Sequence, residues 1–217
     1  KQITDEMETA EAVLLSLALT VEARDAYTEG HCERLATYAV ALGSALALSD
    51  GELSALRRGA FLHDVGKIGL ADALLLKPGP LTADEYEVVK RHPVIGERLL
   101  ADLKTLAPVR PIVRHHHERL DGSGYPDGLR VSEIPLLAQI VSIVDAFDAM
   151  TTTRPYRVRR SRALAFSELR ADAARGLLGG DLVEAFIRVV CDQPSPGTRG
   201  KRPCPPPAGY GKIPSSV

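Results

Sequence analysis

Apolar residues recur at spacings of three and four along most of this chain, and no segment alternates for the length of a strand, so the sequence predicts an all-α bundle. Ile3, Met7, Ala10, Leu14, Leu17 and Val21 form one stripe and predict a helix reaching about residue 25. Leu35, Tyr38, Ala39, Leu42 and Leu46 form a second. Ser49 and Glu52 have capping-box spacing and open a third helix, which carries Leu53, Leu56, Ala60 and Phe61 into His63 and Asp64. Thr82 and Glu85 repeat that start signal, and the helix they open runs to His92, where Pro93 turns the preceding residue away from the α region and predicts a kink or a new helix. Further helices are expected over 96–106, over 112–118, from Pro135 through Ile140 and Phe147 to Met150, over 163–174 and over 182–191. Residues 120–130 are dense in turn formers without periodicity and read as a loop.

Composition narrows what such a bundle can be. At 217 residues, 45% apolar and 25% charged, the chain can bury one sizeable core. Three parts are expected: an N-terminal helix over 1–22 that is a candidate signalling linker, a folded domain over 23–192, and a tail over 193–217 that holds seven of the 15 prolines and too little apolar surface to order itself. The first residue is Lys, so the chain reads as a piece of a longer protein that carries an upstream sensor or receiver domain. A net charge of -1 gives no basic field for nucleic acid. The longest nearly unbroken apolar stretch, 12–21, has ten residues against the roughly 20 that a membrane-spanning helix needs. Three cysteines without a Cys-x-x-Cys pair, and no signal peptide, point to a reducing cytoplasm rather than a disulfide scaffold.

The six histidines fall in four constellations: Gly30-His31, His63-Asp64-Val65-Gly66-Lys67, His92-Pro93 and His115-His116-His117-Glu118. With Asp145 they supply imidazole and carboxylate enough for two metal ions side by side. His63 and Asp64, read as lying in an apolar helix, offer a nitrogen and an anionic oxygen to nearly one point, and Asp64 can bridge two cations; a buried hydrogen-bonded pair is the plainer alternative. Lys67, one turn on, adds an ammonium and favours a phosphate ligand. His116 and His117 would diverge by about 100° on an ideal helix, so both can serve one cluster only at a helix end or a distortion. His115 reads as a surface residue outside the set. Arg154, Arg157, Arg159, Arg160 and Arg162, with few aromatics nearby to stack bases, read as a phosphate clamp plus a solvated face.

Taken together, His63-Asp64-Val65-Gly66-Lys67, the run from His116 to the Gly124-Tyr125-Pro126 loop, Gly30-His31, Leu76-Lys77-Pro78-Gly79, Asp145-Ala146-Phe147-Asp148 and Arg154-Pro155-Tyr156-Arg157 resemble the HD-GYP family of HD-domain phosphohydrolases. The resemblance implies a helical bundle around a binuclear metal site that hydrolyses cyclic di-GMP to linear pGpG, with a second cut to GMP in some members. It implies that His31, His63, Asp64 and Asp145 hold one ion and Asp64, His92, His116 and His117 the other, iron or manganese being favoured. Water between the ions would be the nucleophile. Lys67, Arg154 and Arg157 would bind substrate phosphates, Asp64 and Lys67 serving the chemical step. The Gly124-Tyr125-Pro126 loop is expected to dock diguanylate cyclase domains more than to serve catalysis, and a homodimer is a candidate assembly.

The sequence departs from the family pattern at three points. Tyr27 stands where members with a third metal carry glutamate, which sets the expectation at two ions; Leu120 and Ala71 replace a common tryptophan and proline without removing a ligand. The rival readings are a catalytically weak cyclic di-GMP sensor or cyclase-docking module, and a hydrolase for another nucleotide.

Overall fold

The computed structural model describes residues 2–24, 30–152 and 159–192, with side chains described for 12–23, 30–152 and 159–192. The helices are α1 (Gln2–Arg24), α2 (His31–Ala45), α3 (Asp50–Leu62), α4 (Asp72–Leu75), α5 (Ala83–Val89), α6 (His92–Leu99), α7 (Arg110–His115), α8 (Leu136–Thr151), α9 (Arg162–Ala174) and α10 (Gly180–Asp192), with 3₁₀ turns at Val65–Gly69 and Lys104–Leu106. Among the described residues there is no strand, only an isolated bridge between Asp121 and Arg130. The expected all-α architecture is what the chain adopts. The tail over 193–217 and the expectations attached to Tyr27, Arg154 and Arg157 lie outside the described residues.

Both capping boxes form. Ser49 N–H donates to Glu52 Oε2 at 2.8 Å and Thr82 N–H to Glu85 Oε2 at 2.7 Å, while each hydroxyl accepts the N3 amide, so amides left over at the helix start find partners. Other boundaries differ from the sequence reading. The stretch over 96–106 is not one helix: α6 stops at Leu99, and a turn followed by a 3₁₀ turn carries Leu100 and Leu106 into the core. The helix expected over 112–118 begins and ends earlier, at Arg110 and His115. His63 and Asp64 lie beyond the end of α3 rather than inside it, Asp64 having φ -102° and ψ 5°. Cys32 is a buried free thiol, whereas Cys191 is in a disulfide, which departs from the free-thiol reading at that one position.

Packing explains how distant motifs meet. α2 pairs with α3 and α8, α9 packs on α8, and α10 packs against both α2 and α9. Phe147 of α8 is the hub there: its ring stacks on Phe166 at 5.6 Å and meets Phe186 and Tyr38 edge-on at 5.1 and 5.7 Å. With Phe147 fixed in the core, Asp145 and Asp148, three residues apart, share another face of α8. α1 lies against α2, α3 and the Val65–Gly69 turn and buries Ala18, Val21 and Glu22.

The Val65–Gly69 turn rests on α6 with no room for a side chain. A methyl group at Gly66 would overlap the carbonyl oxygen of His92 and the amide of Gly96. Gly66→Ala is therefore expected to lower stability by about 3 kcal/mol, measured as the shift of a urea midpoint. Gly51→Ala, in the first turn of α3 with nothing within 4 Å of the added methyl, is the matched control and is expected to leave stability unchanged or slightly raised.

Candidate metal centre

The donor set assembles from helix ends. His63, His92 and His116 each follow the last turn of a helix, and each ring Nδ1 meets the carbonyl three residues back: Ala60 at 2.9 Å, Val89 at 2.8 Å and Val113 at 2.9 Å. A carbonyl only accepts, so Nδ1 carries the proton and Nε2 presents a lone pair. The carbonyls used belong to the last turns of α3, α5 and α7, where helix geometry leaves acceptors spare.

All three Nε2 atoms are buried without a hydrogen-bond partner, as is Oδ1 of Asp64. They face one another nonetheless. Asp64 Oδ1 lies 3.1 Å from His92 Nε2 and 3.8 Å from His116 Nε2, while Oδ2 lies 3.4 Å from His63 Nε2. Lone pairs opposed at such distances need a cation or a proton between them, and burying them otherwise costs several kcal/mol. The arrangement fits the divalent ions that the resemblance implies.

Two donor groups result. Asp64, His92, His116 and His117 form one; His31, His63 and Asp145 form the other, with His31 Nε2 3.5 Å from Asp145 Oδ1. Within each group one donor atom per residue lies within 4.8 Å of the rest. The carboxylate of Asp64 turns one oxygen to each group. All seven residues singled out as metal donors are thus brought together. The difficulty with adjacent His116 and His117 resolves because α7 ends at His115, and their rings sit 4.1 Å apart, tilted by 44°.

Electrostatics follow from this crowding. Burial would raise Asp64, but Lys67 and His63 overcome it and hold the carboxyl well below its usual range. Burial pulls His63 down, yet Asp64 and Asp145 outweigh it and raise the imidazole to about 9. His117, buried and beside His92, is lowered to about 3, and His116, buried beside His117 and His63, falls well below its ordinary value. The half of the cluster around His116 is therefore ready to give lone pairs, while His63 must release a proton when a cation binds.

Lys67 reaches the cluster as expected, its Nζ 2.6 Å from Asp64 Oδ2. His115 stays outside it, facing Asp127 at 3.5 Å and Glu118 at 4.0 Å. That trio has metal-like spacing, but its carboxylates are engaged: Glu118 accepts the amides of Asp127 and Leu129, and Asp127 accepts Arg114 through both oxygens.

Sequence reasoning missed three supporting residues. Asp148 accepts His31 Nδ1–H at 2.8 Å and Arg34 Nε–H at 2.7 Å; although burial opposes it, these partners hold its carboxyl at about 2. Glu22 of α1 accepts the amides of His31 and Cys32 at 2.6 and 3.3 Å. Buried Glu118 fixes the loop that carries Tyr125. Only Asp148, at helical spacing from Asp145, had a local signal. Tyr125 of the loop lies against His117, ring centroids 4.7 Å apart, and so forms a wall of the site.

Comparison with known proteins agrees with this geometry. Residues 16–182 match the HD domain family. The chain is 42% identical over 187 residues to the cyclic di-GMP phosphodiesterase response regulator RpfG of Xanthomonas campestris, covering 85% of this chain and 49% of that protein. It is 39% identical over 160 residues to the 3'3'-cGAMP-specific phosphodiesterase 3 of Vibrio cholerae, covering 73% and 35%. Among solved structures, the HDG"Y"P protein Bd1817 of Bdellovibrio bacteriovorus superposes with a TM-score of 0.60 at 25% identity, over 74% of this chain and 51% of that one. The chain thus spans about half the length of its relatives, or less.

Asp148→Asn keeps the shape of the side chain but removes the charge that orients His31. It is expected to weaken metal binding in the His31 group by about 10- to 100-fold, read by titrating metal into the stripped protein. Arg110→Ala, whose partner is Glu97 at 2.9 Å, is the distant control and should leave that titration unchanged.

Proposed function

Because the chain belongs to the HD-domain family, in its HD-GYP branch, we propose that it is a metal-dependent phosphodiesterase that opens cyclic di-GMP to pGpG, with GMP as the product of a second cut. The observation that carries this reading is the convergence of orphaned lone pairs on both oxygens of Asp64, with an ammonium alongside. The substrate rests on the relatives' names: one is a cyclic di-GMP phosphodiesterase, another is specific for 3'3'-cGAMP, and the higher identity belongs to the former. Both are cyclic dinucleotides, which supports that class of substrate.

His31, His63, Asp64 and Asp145 would hold one divalent ion and Asp64, His92, His116 and His117 the second, iron or manganese suiting this mixed set. Bound there, the pair would supply Lewis acidity and a water of lowered pKa for in-line attack on phosphorus. The chain's residues do the remaining work. Asp64 and Asp145 offset only half the charge of two divalent ions, so a positive potential faces the phosphodiester. Lys67 balances Asp64 until substrate arrives and then has a phosphoryl oxygen to neutralise. The imidazoles turn Nε2 to the cleft, so once His63 has given up its proton they serve as cation ligands. Arg154 and Arg157 are assigned to the outer phosphate contacts on the sequence motif alone. An upstream receiver or sensor domain in the longer protein, and a cyclase docked on the Gly124-Tyr125-Pro126 loop, complete the proposal.

The test is anaerobic purification with metal analysis and cyclic di-GMP turnover on one sample. Turnover with about two metals per chain is expected, abolished by chelation and restored by iron or manganese. Asp64→Ala should lose both metal and activity, and Lys67→Ala should keep its metal while kcat falls about 100-fold. Full turnover by stripped protein would sink the scheme, and binding without product would mark a sensor instead.

A further inference from the structure

The metal groups and Lys67 account for phosphate, but a cyclic dinucleotide also carries two flat bases that need partners. An aromatic step leads outward from the donor set. Tyr125 lies 4.7 Å from His117 and 6.5 Å from His92, centroid to centroid. Tyr86 of α5 then meets Tyr125 edge to face at 6.3 Å with planes at 81°. Lys90, one helical turn beyond Tyr86, holds its ammonium 5.0 Å from the Tyr86 ring and 5.8 Å from that of Tyr125. Tyr86 is 45% exposed, so part of its surface is open to a ligand, while Tyr125 is partly buried.

We propose that Tyr86 and Lys90, together with Tyr125, form a shelf that receives one guanine of the cyclic dinucleotide, an inference that rests on the phosphodiester reading above. A tyrosine ring offers a π face to any base, worth roughly a 5- to 100-fold gain in affinity for one stacked base. Lys90 adds selectivity. Guanine presents two acceptors, O6 and N7, on one edge, whereas adenine places an amino donor where O6 stands, so an ammonium there favours guanine. Its present partner, Glu87 Oε1 at 2.6 Å, is an exposed carboxylate at the end of a flexible side chain and competes weakly. Neither Tyr86 nor Lys90 belongs to the motifs that the sequence singled out.

The chain contains no tryptophan, so Tyr86→Trp introduces a single fluorophore on the shelf. Cyclic di-GMP is expected to quench it, saturating in the concentration range of KM. In steady-state assays on the metal-loaded chain, Tyr86→Ala should raise KM for cyclic di-GMP about tenfold while kcat changes little, and Tyr86→Phe should restore it. Lys90→Ala should narrow the preference for cyclic di-GMP over cyclic di-AMP. The small diester methyl p-nitrophenyl phosphate, which carries no purine, separates the possibilities: an equal loss on both substrates in Tyr86→Ala marks a structural defect and overturns the shelf, as does an unchanged KM or an indole in Tyr86→Trp that stays unquenched. Wild-type protein that cleaves the small diester but neither binds nor cleaves a cyclic dinucleotide overturns the reading of the site, and the shelf with it.

Discussion

Three imidazoles in this fold are tethered by one local device, and the centre depends on it. A histidine placed just past a helix end gives its Nδ1–H to a carbonyl of the final turn, at Ala60, Val89 and Val113. The bond settles three things at once. It satisfies an acceptor the helix leaves spare, it selects the tautomer, and it aims Nε2 away from the helix that holds it. The Nε2 atoms and Oδ1 of Asp64 are left without hydrogen-bond partners, so a positive charge among the rings stabilises the interior. The cost of assembling such a cavity is carried by the surrounding core, in which Leu56, Leu62, Ile112 and Val113 are fully or almost fully buried.

Close backbone approach brings those helix ends together. Gly66 lets the turn that follows Asp64 rest directly on the start of α6, which sets Asp64 beside His92. Gly96 extends the same contact towards Val113 on the side of α7. Gly124 folds the loop onto the backbone of Glu118 and Arg119, and Glu118 secures it through two amides, so Tyr125 is held against His117 by backbone geometry as well as by ring contact.

Much of this was legible in the sequence. The capping boxes at Ser49 and Thr82 announced two helix starts, and Pro93 announced the break at His92. Where the reading went astray, periodicity could not distinguish alternatives that bury the same side chains. Leu100 and Leu106 reach the core from a broken segment as well as they would from the continuous helix expected over 96–106. The supporting roles of Asp148, Glu22 and Glu118 were not legible for another reason. Their partners lie beyond a helical turn, 9 to 11 positions away for Glu22 and Glu118 and 117 for Asp148 and His31, and helical periodicity records no such pairing.

The donors differ in what supports them. His63, His92 and His116 hang on bonds spanning three residues, whereas His31 is held by Asp148 of α8, by Arg34 through that carboxylate, and by Glu22 of α1. Local tethers persist as long as their helices do, while tertiary ones follow any movement of the elements that carry them. The centre is thus built like a vice, with one jaw bolted to the bench and the other mounted on a slide, and α1 is part of the slide.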